Sequence, residues 1–141
     1  MPLWKQGLQM ATSKLPRVIT PRQHAIVDYA VAGSFMLIGA SWWKRNKRAA
    51  VGSLICGAAT AVNSIVTDYP GGRFRVMTFR NHGRIDTGIA ALVAAMPRFM
   101  KFKEEPEARF FSILASLETT LAGMTDFGYY EQDSARGHLR D

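Results

Sequence analysis

The chain has 141 residues, which is enough for one domain. Apolar residues make up 48% of it and charged residues 21%, which excludes an intrinsically disordered chain because disorder requires low hydrophobicity together with its net charge. The single cysteine, Cys56, excludes a disulfide framework and a cysteine-rich zinc site. A net charge of +7 is compatible with nucleic-acid binding, so the position of the charges along the chain decides between the remaining classes.

Residues 1–20 form an N-terminal arm that lacks an apolar run long enough for the core of a signal peptide. Trp4, Leu8 and Leu15 stand among basic residues in this arm. Such a pattern predicts either an interfacial segment that lies on a membrane surface or a loosely packed extension.

Two charge-poor windows of equal length follow, 25–43 with Asp28 as its one charge and 49–67 with none. At about 1.5 Å per residue each helix would extend about 28 Å, close to the thickness of a bilayer core. The basic turn 44–48 joins the windows, and Trp42 and Trp43 end the first one, where interfacial aromatic residues belong. These features predict two transmembrane helices.

The second half of the chain contains two weaker apolar segments, 85–97 and 110–125. Taken alone, either segment is also compatible with a buried helix of a soluble bundle. Glu118 lies near the centre of the second segment and should face the bundle interior, with Asn63 of the second helix as its expected hydrogen-bond partner. Cys56 is expected to be a buried, small apolar residue rather than a nucleophile.

Small residues recur at helical spacing and predict close helix packing. The two stripes are Ser53, Gly57 and Ala61 in the second helix and Gly88, Ala91 and Ala95 in the third.

The most informative regularity is an internal repeat in which matched residue numbers differ by 58. The matched positions are Arg22-Gln23-His24 with Arg80-Asn81-His82, Asp28 with Asp86, and Thr67-Asp68-Tyr69 with Thr125-Asp126-Phe127. We call this constant difference the repeat offset. Each unit contains two helices and returns the chain to its starting side, so the two units should be related by a pseudo-two-fold axis along the membrane normal.

We therefore predict an all-α fold, a four-helix transmembrane bundle made of two tandem two-helix repeats. The membrane domain covers 21–128, with repeat 1 at about 22–69 and repeat 2 at about 80–127. A polar tail, 129–141, follows it.

This topology brings the polar residues of both repeats to one end of the bundle. The predicted cluster contains Arg22, His24, Asp28, Asp68, Arg80, His82, Asp86 and Asp126. Because each histidine precedes an aspartate by four residues, each pair shares a helix face. The cluster is interpreted either as a structural lock or as a site for a metal ion, a proton or a cofactor.

The expected placement of the charges favours the lock. Asp28 and Asp86 are expected in the first helical turn, where the helix dipole stabilises an anion, and Asp68 and Asp126 at helix C-termini, where a carboxylate needs a basic partner. The nearby arginines would neutralise the carboxylates. We accordingly predict no bound metal and no cofactor.

Several segments resemble the SPW-repeat family of small bacterial integral membrane proteins. They are His24-Ala-Ile-Val-Asp28-Tyr29, Thr67-Asp68-Tyr69-Pro70, His82-x3-Asp86 and Ala95-Met96-Pro97-Arg98-Phe99. The resemblance spans about 20–128 and implies a membrane domain of paired helices, without an established activity. The Ser-Pro-Trp signature itself is replaced by Gly39-Ala-Ser-Trp-Trp43 and Met96-Pro-Arg-Phe99.

The sequence favours a structural or accessory membrane protein that packs with itself or with larger membrane partners. The alternative is a membrane protein whose His/Asp site handles an ion, a proton or a cofactor. No phosphate loop or nucleophile–base constellation indicates an enzyme, and basic residues confined to connections do not form a nucleic-acid-binding stripe. The expected location is the bacterial inner membrane with both termini cytoplasmic, since ten basic residues lie on the terminal side and eight on the other.

Overall fold

The computed structural model describes residues 2, 3, 6 and 15–130. Within this part the chain forms four helices, α1 (Pro21–Trp42), α2 (Lys47–Ile65), α3 (Phe79–Phe99) and α4 (Ala108–Met124), and no β-strand. The predicted all-α class and the number of helices are confirmed. Most of the N-terminal arm, with Trp4 and Leu8, and most of the polar tail lie outside the described residues.

Side-chain caps fix where three of the helices begin. Thr20 and Gln23 form a capping box at the start of α1, in which each side chain bonds the backbone N–H of the other residue. Thr78 accepts a hydrogen bond from the Asn81 N–H at the start of α3, and Asn46 caps α2 through the Ala49 N–H. The caps of α1 and α3 are both threonines, and they are separated by the repeat offset.

The helices pack as neighbours along the chain, α1 against α2, α2 against α3, and α3 against α4. Ser53 and Gly57 bring α1 and α2 close together, as predicted: the Ser53 hydroxyl donates to the Phe35 carbonyl at 2.7 Å, and a Cβ on Gly57 would lie 2.9 Å from Phe35 Cβ. Gly88, Ala91 and Ala95 all face outward, so the predicted stripe of α3 does not pack against another helix among the described residues.

An apolar core fills the part of the bundle near the α1–α2 and α3–α4 connections. Phe35 is fully buried and contacts the rings of Phe110 and Phe111. Trp42 and Phe102 pack on the same Phe111 ring, so side chains from α1, α4 and the α3–α4 connection share one core.

A polar cluster closes this end of the bundle. Glu107 accepts from Arg45 Nε at 3.1 Å and from Asn46, while Glu105 accepts from Arg48 at 2.6 Å and from Asn46. Burial by itself raises the pKa of Glu107, but hydrogen bonds from its own backbone, Asn46 and Arg45, with the Arg45 charge, outweigh it and lower the pKa. The cluster ties the α1–α2 connection to the α3–α4 connection.

At the other end, two isolated β-bridges join the segments that flank the helices. Ile19 pairs with Thr125, and Met77 pairs with Thr67. Ile19 N–H donates to the Met124 carbonyl at 3.0 Å, and Met77 N–H donates to the Val66 carbonyl at 3.1 Å. The two bridges correspond to each other through the same repeat offset.

Two of the described helices, α1 and α2, are long and apolar enough to cross a membrane. Helix α4 has 17 residues, at the lower limit for a spanning helix, and α3 opens on a polar segment.

Candidate functional site

Four ionisable side chains converge inside the bundle near the bridged end. His24 and Asp28 come from α1, and His82 and Asp86 come from α3, and one ligand-type atom of each lies within 4.8 Å of the other three. His24, Asp28 and His82 are buried, and the Asp86 side chain is 14% exposed. We call this group the His/Asp cluster.

The spacing in each helix sets half of these contacts. Within α1, His24 Nε2 lies 3.3 Å from Asp28 Oδ1, and within α3, His82 Nε2 lies 3.3 Å from Asp86 Oδ2. Packing adds the cross-helix contacts, from His24 Nε2 to Asp86 Oδ2 at 2.9 Å and from His82 Nε2 to Asp28 Oδ2 at 3.2 Å. Each histidine therefore contacts both carboxylates.

Two threonines fix the orientation of the imidazole rings. Thr125 Oγ1 lies 2.7 Å from His24 Nδ1, and Thr67 Oγ1 lies 2.8 Å from His82 Nδ1. Each hydroxyl donates its only proton to a backbone carbonyl four residues earlier, Thr125 to Leu121 and Thr67 to Asn63. Each threonine oxygen must therefore accept from the histidine, which assigns the Nδ1 proton to both rings.

This assignment decides what the Nε2 atoms present to each other. The Nε2 atoms of His24 and His82 lie 3.2 Å apart. In neutral rings with Nδ1–H, both Nε2 atoms carry lone pairs that face the carboxylate oxygens of Asp28 and Asp86. The arrangement requires positive charge at its centre, which either protons on Nε2 or a metal ion can supply.

Further hydrogen bonds hold the carboxylates. Ser64 and Tyr69 donate to Asp28 Oδ2 at 3.2 and 3.0 Å, and Asn63 Nδ2 donates to Asp86 Oδ1 at 3.0 Å. Burial and, after it, the charge of Asp28 raise the pKa of Tyr69, so its phenol keeps the proton that it donates. Both carboxylates are thus oriented by neutral donors.

Aromatic rings cover the cluster on the side of the bridges. Phe79 stacks on His82 with ring centroids 5.7 Å apart and meets His24 edge-on at 5.6 Å. Phe127 and Tyr69 pack against Phe79 at 4.9 and 5.5 Å. This aromatic cover limits the access of water to the imidazoles.

The structure does not bring the other predicted members into the cluster. Asp68 is largely exposed and lies 3.8 Å from Arg75 Nε, and Asp126 accepts from the Gly128 N–H. Arg22 and Arg80 have exposed side chains. The ion pairs between described residues that involve Asp28 and Asp86 are with the two histidines, so the prediction that arginines neutralise these carboxylates is wrong.

The predicted role of the helix dipole is also wrong. Helix α1 begins at Pro21 and α3 at Phe79, which makes Asp28 and Asp86 the eighth residue of their helices and leaves the first turns without an acidic residue. The dipole effect is confined to the first turn, so hydrogen bonds and the histidines stabilise these carboxylates instead.

Glu118 and Asn63 do not form the predicted pair. Asn63 donates to Asp86 and to the His82 carbonyl, and its Oδ1 has no partner among the described residues. Both carboxylate oxygens of Glu118 are buried, again without a hydrogen-bond partner in the part of the chain that the structure describes. Thr60, the neighbour of Glu118, uses its hydroxyl proton on the Cys56 carbonyl.

The hydrogen-bonding residues that orient the cluster were not predicted from the sequence. Thr67 and Thr125 were available as a matched pair of the repeat, and this was the signal that could have identified them. Ser64 and Asn63 have no polar counterpart at the repeat offset, where the chain has Ala122 and Leu121, so the repeat gave no sign of their role.

Gly72 supports the cluster through Thr67, and we expect Gly72→Ala to lower the free energy of unfolding by about 1–3 kcal/mol. A Cβ on Gly72 would overlap the Thr67 carbonyl oxygen, so the backbone that positions the Thr67 hydroxyl must shift. Denaturant unfolding followed by circular dichroism measures the change. Gly88→Ala is the matched control: its Cβ meets open space, and it should stabilise α3 by about 0.5–1 kcal/mol. Equal effects of the two substitutions would contradict the prediction.

No protein-family model, no curated protein and no solved structure matches this chain. The resemblance to the SPW-repeat family therefore stays a prediction.

Proposed function

We propose that this chain is a small multi-pass membrane protein of structural or accessory type, in which a four-helix bundle of two tandem repeats crosses the bacterial inner membrane. The outward surface of the helices carries the proposal. Large apolar side chains face outward on all four helices: Ile26, Leu37, Ile55, Val62, Ile85, Leu92, Phe99, Ile113 and Leu117.

Charged side chains avoid the middle of this surface. The exposed charged residues of the helices all lie within six residues of a helix end: Arg22, Lys47, Arg48, Arg80, Arg84, Arg98 and Arg109. The carboxylates located further inside the helices, Asp28, Asp86 and Glu118, turn their oxygens to the interior. An uncharged belt that carries large apolar side chains, between two charged rims, is a surface that suits a bilayer.

Correspondences at the repeat offset support the two-repeat organisation. They include the threonine caps of α1 and α3, the two β-bridges, and the exchange of threonine–histidine bonds between the halves. His24 of the first half bonds Thr125 of the second, while His82 of the second bonds Thr67 of the first. We infer a pseudo-two-fold axis through the His/Asp cluster. This cluster fastens the two helix pairs at one end, and the polar cluster of Arg45, Asn46, Arg48, Glu105 and Glu107 does so at the other.

Membrane fractionation tests this proposal. The full chain should remain with the membranes after alkaline carbonate extraction and should require detergent for release. Release by carbonate, with a folded protein in the supernatant, would reject the membrane proposal. Reporter fusions at the two ends test the proposed cytoplasmic location of both termini.

The substitution Ile55→Lys separates a membrane surface from a soluble one. Ile55 is the ninth residue of α2 and is 46% exposed. In a bilayer, lysine at the helix centre should cost about 2.5–3.5 kcal/mol of insertion free energy, and the inserted fraction should fall in a glycosylation-type insertion assay. On a water-exposed surface the same change is worth less than about 0.5 kcal/mol. Phe74→Lys, at a position that is 66% exposed in the α2–α3 connection, is the control and should leave insertion unchanged.

The outward stripe of Gly88, Ala91 and Ala95 supports an accessory role. Apart from the adjoining backbone of α3 itself, no described residue lies within 4 Å of a Cβ placed on Gly88, so another membrane helix can approach the backbone of α3 there. Gentle detergent extraction should then yield a homo-oligomer or a complex with a membrane partner. A monomer at all detergent-to-protein ratios would reject this part of the proposal.

A further inference from the structure

We propose that His24, Asp28, His82 and Asp86 bind one divalent transition-metal ion, for which Zn²⁺ is the best fit. This inference goes beyond the structural role proposed above and does not depend on the location of the protein in a membrane. It turns the contact between the two helix pairs into a coordination site with two imidazole nitrogens and two carboxylate oxygens.

The separations between the ligand atoms are close to the edge length of a small tetrahedron. Zinc–nitrogen and zinc–oxygen bonds of about 2.0–2.1 Å give a tetrahedron with edges of about 3.3 Å. The two Nε2 atoms lie 3.2 Å apart, and the four nitrogen–oxygen contacts measure 2.9, 3.2, 3.3 and 3.3 Å. His24 Nε2, His82 Nε2 and Asp86 Oδ2 therefore form a triangle with sides of 3.2, 2.9 and 3.3 Å, while Asp28 places Oδ1 at 3.3 Å from His24 Nε2 and Oδ2 at 3.2 Å from His82 Nε2. One ion can thus contact both imidazoles and both carboxylates without a large movement of the helices.

The direction of the lone pairs agrees with this geometry. Because the Nδ1 protons of His24 and His82 are used by Thr125 and Thr67, the atoms free to coordinate are the two Nε2 atoms, and both point to the centre of the cluster. Metal-bound histidines in proteins are held in this way, with the other ring nitrogen donating a hydrogen bond to an oxygen.

The carboxylates are prepared for coordination as well. Ser64, Tyr69 and Asn63 donate to them, and these donors are neutral, so the two negative charges are left to balance a divalent cation. Asn63 is only 4% exposed, directs its Nδ2 at Asp86 and leaves its Oδ1 without a donor among the described residues. The Asn63 oxygen next to Asp86 can thus still accept a hydrogen bond, and an unpaired oxygen there favours a positive charge in the cluster.

The ligand set discriminates between metals. Calcium takes six to eight oxygen ligands and magnesium keeps octahedral oxygen coordination, so two imidazoles in a compact group of four exclude both as the preferred ion. Imidazole and carboxylate in a tetrahedral arrangement suit Zn²⁺, and Co²⁺ adopts the same geometry as a spectroscopic substitute. The bound ion with two aspartates has no net charge, which fits a buried position.

The test uses the full chain, purified in detergent, treated with a chelator and reloaded with Zn²⁺ or Co²⁺ alone. We expect about one zinc per chain by elemental analysis and the intense visible absorption of tetrahedral Co²⁺. X-ray absorption of the zinc form should give nitrogen and oxygen ligands at about 2.0–2.1 Å, with the outer-shell pattern of imidazole. These measurements on the unaltered protein decide the proposal even if every cluster variant fails to fold.

Variants then assign the ligands. His82→Gln and Asp86→Asn should each weaken zinc binding by at least about 100-fold, since loss of even an outer-shell partner costs about 10–100-fold. Asp68→Asn removes an exposed carboxylate and Glu118→Gln a buried one outside the cluster, and both should bind zinc like the unaltered chain. Loss of zinc in Glu118→Gln, with binding retained in His82→Gln, would overturn the assignment.

Two results would overturn the metal site itself: a folded chain that takes up no zinc, or a zinc form whose X-ray absorption lacks imidazole. Neither result bears on the membrane proposal, which carbonate extraction tests separately. Conversely, if the chain binds one zinc ion but is released by carbonate, the metal site is supported and the membrane location is rejected.

Discussion

Replacing Asp28 by alanine should lower the free energy of unfolding by about 3–5 kcal/mol, the cost of removing one partner from a buried ion pair. Asp28 is 4% exposed and contacts His24, His82, Ser64 and Tyr69. Without its carboxylate, two buried donors lose their acceptor and two histidines lose a negative neighbour. We expect the largest loss of stability of any single change in the His/Asp cluster.

Denaturant unfolding in detergent, followed by circular dichroism with a chelator present, measures this loss without a contribution from bound metal. Asp68→Ala is the matched control, because the same residue type stands there with a side chain that is 62% exposed. Its effect should stay within about 0.5 kcal/mol. Similar losses of stability for Asp28→Ala and Asp68→Ala would contradict the structure of the cluster. They would instead support the larger polar cluster, including Asp68, that the sequence predicts.

The difference between Asp28 and Asp68 also explains how far the sequence could predict the site. A spacing of four residues in a helix puts two side chains on one face, so the pairing of each histidine with its aspartate followed from the pattern alone. Asp68 follows the bridged residue Thr67 in the connection after α2, outside any helix. Thr67 and Tyr69 are buried and Asp68 between them is exposed, an alternation that a helical interpretation of the same residues cannot show.

The residues that the sequence pattern did not identify reach their partners through contacts between helices and connections. Tyr69 reaches Asp28 from the connection between α2 and α3, and Glu107 reaches Arg45 from the connection between α3 and α4. Connections of irregular conformation have no fixed period, so their side-chain directions cannot be read from spacing. The repeat predicted from the sequence located the two histidine–aspartate pairs, which lie in helices, and it could not locate Ser64 and Asn63 because only one half of the chain carries them.

The second large effect concerns the apolar half of the bundle, where Phe35 joins three helices. Its ring lies 5.4 Å from that of Phe110 and 5.8 Å from that of Phe111, both in α4. Its Cβ approaches Gly57 of α2 so closely that no side chain fits there. One side chain of α1 thus touches both α2 and α4, and neighbouring helices cannot close the space it leaves, because the Gly57 contact already brings the α1 and α2 backbones close.

We therefore expect Phe35→Ala to lower the free energy of unfolding by about 3–5 kcal/mol, from lost packing and from the remaining cavity. The change can be measured by denaturant unfolding in detergent, with helix content as the signal. Phe74→Ala, at an exposed position in the α2–α3 connection, is the matched control and should change stability by less than about 0.5 kcal/mol. Phe35 lies outside the His/Asp cluster, so Phe35→Ala should retain the zinc stoichiometry of the unaltered chain under native conditions. A loss below about 1 kcal/mol would show that α1 and α4 do not pack through this ring.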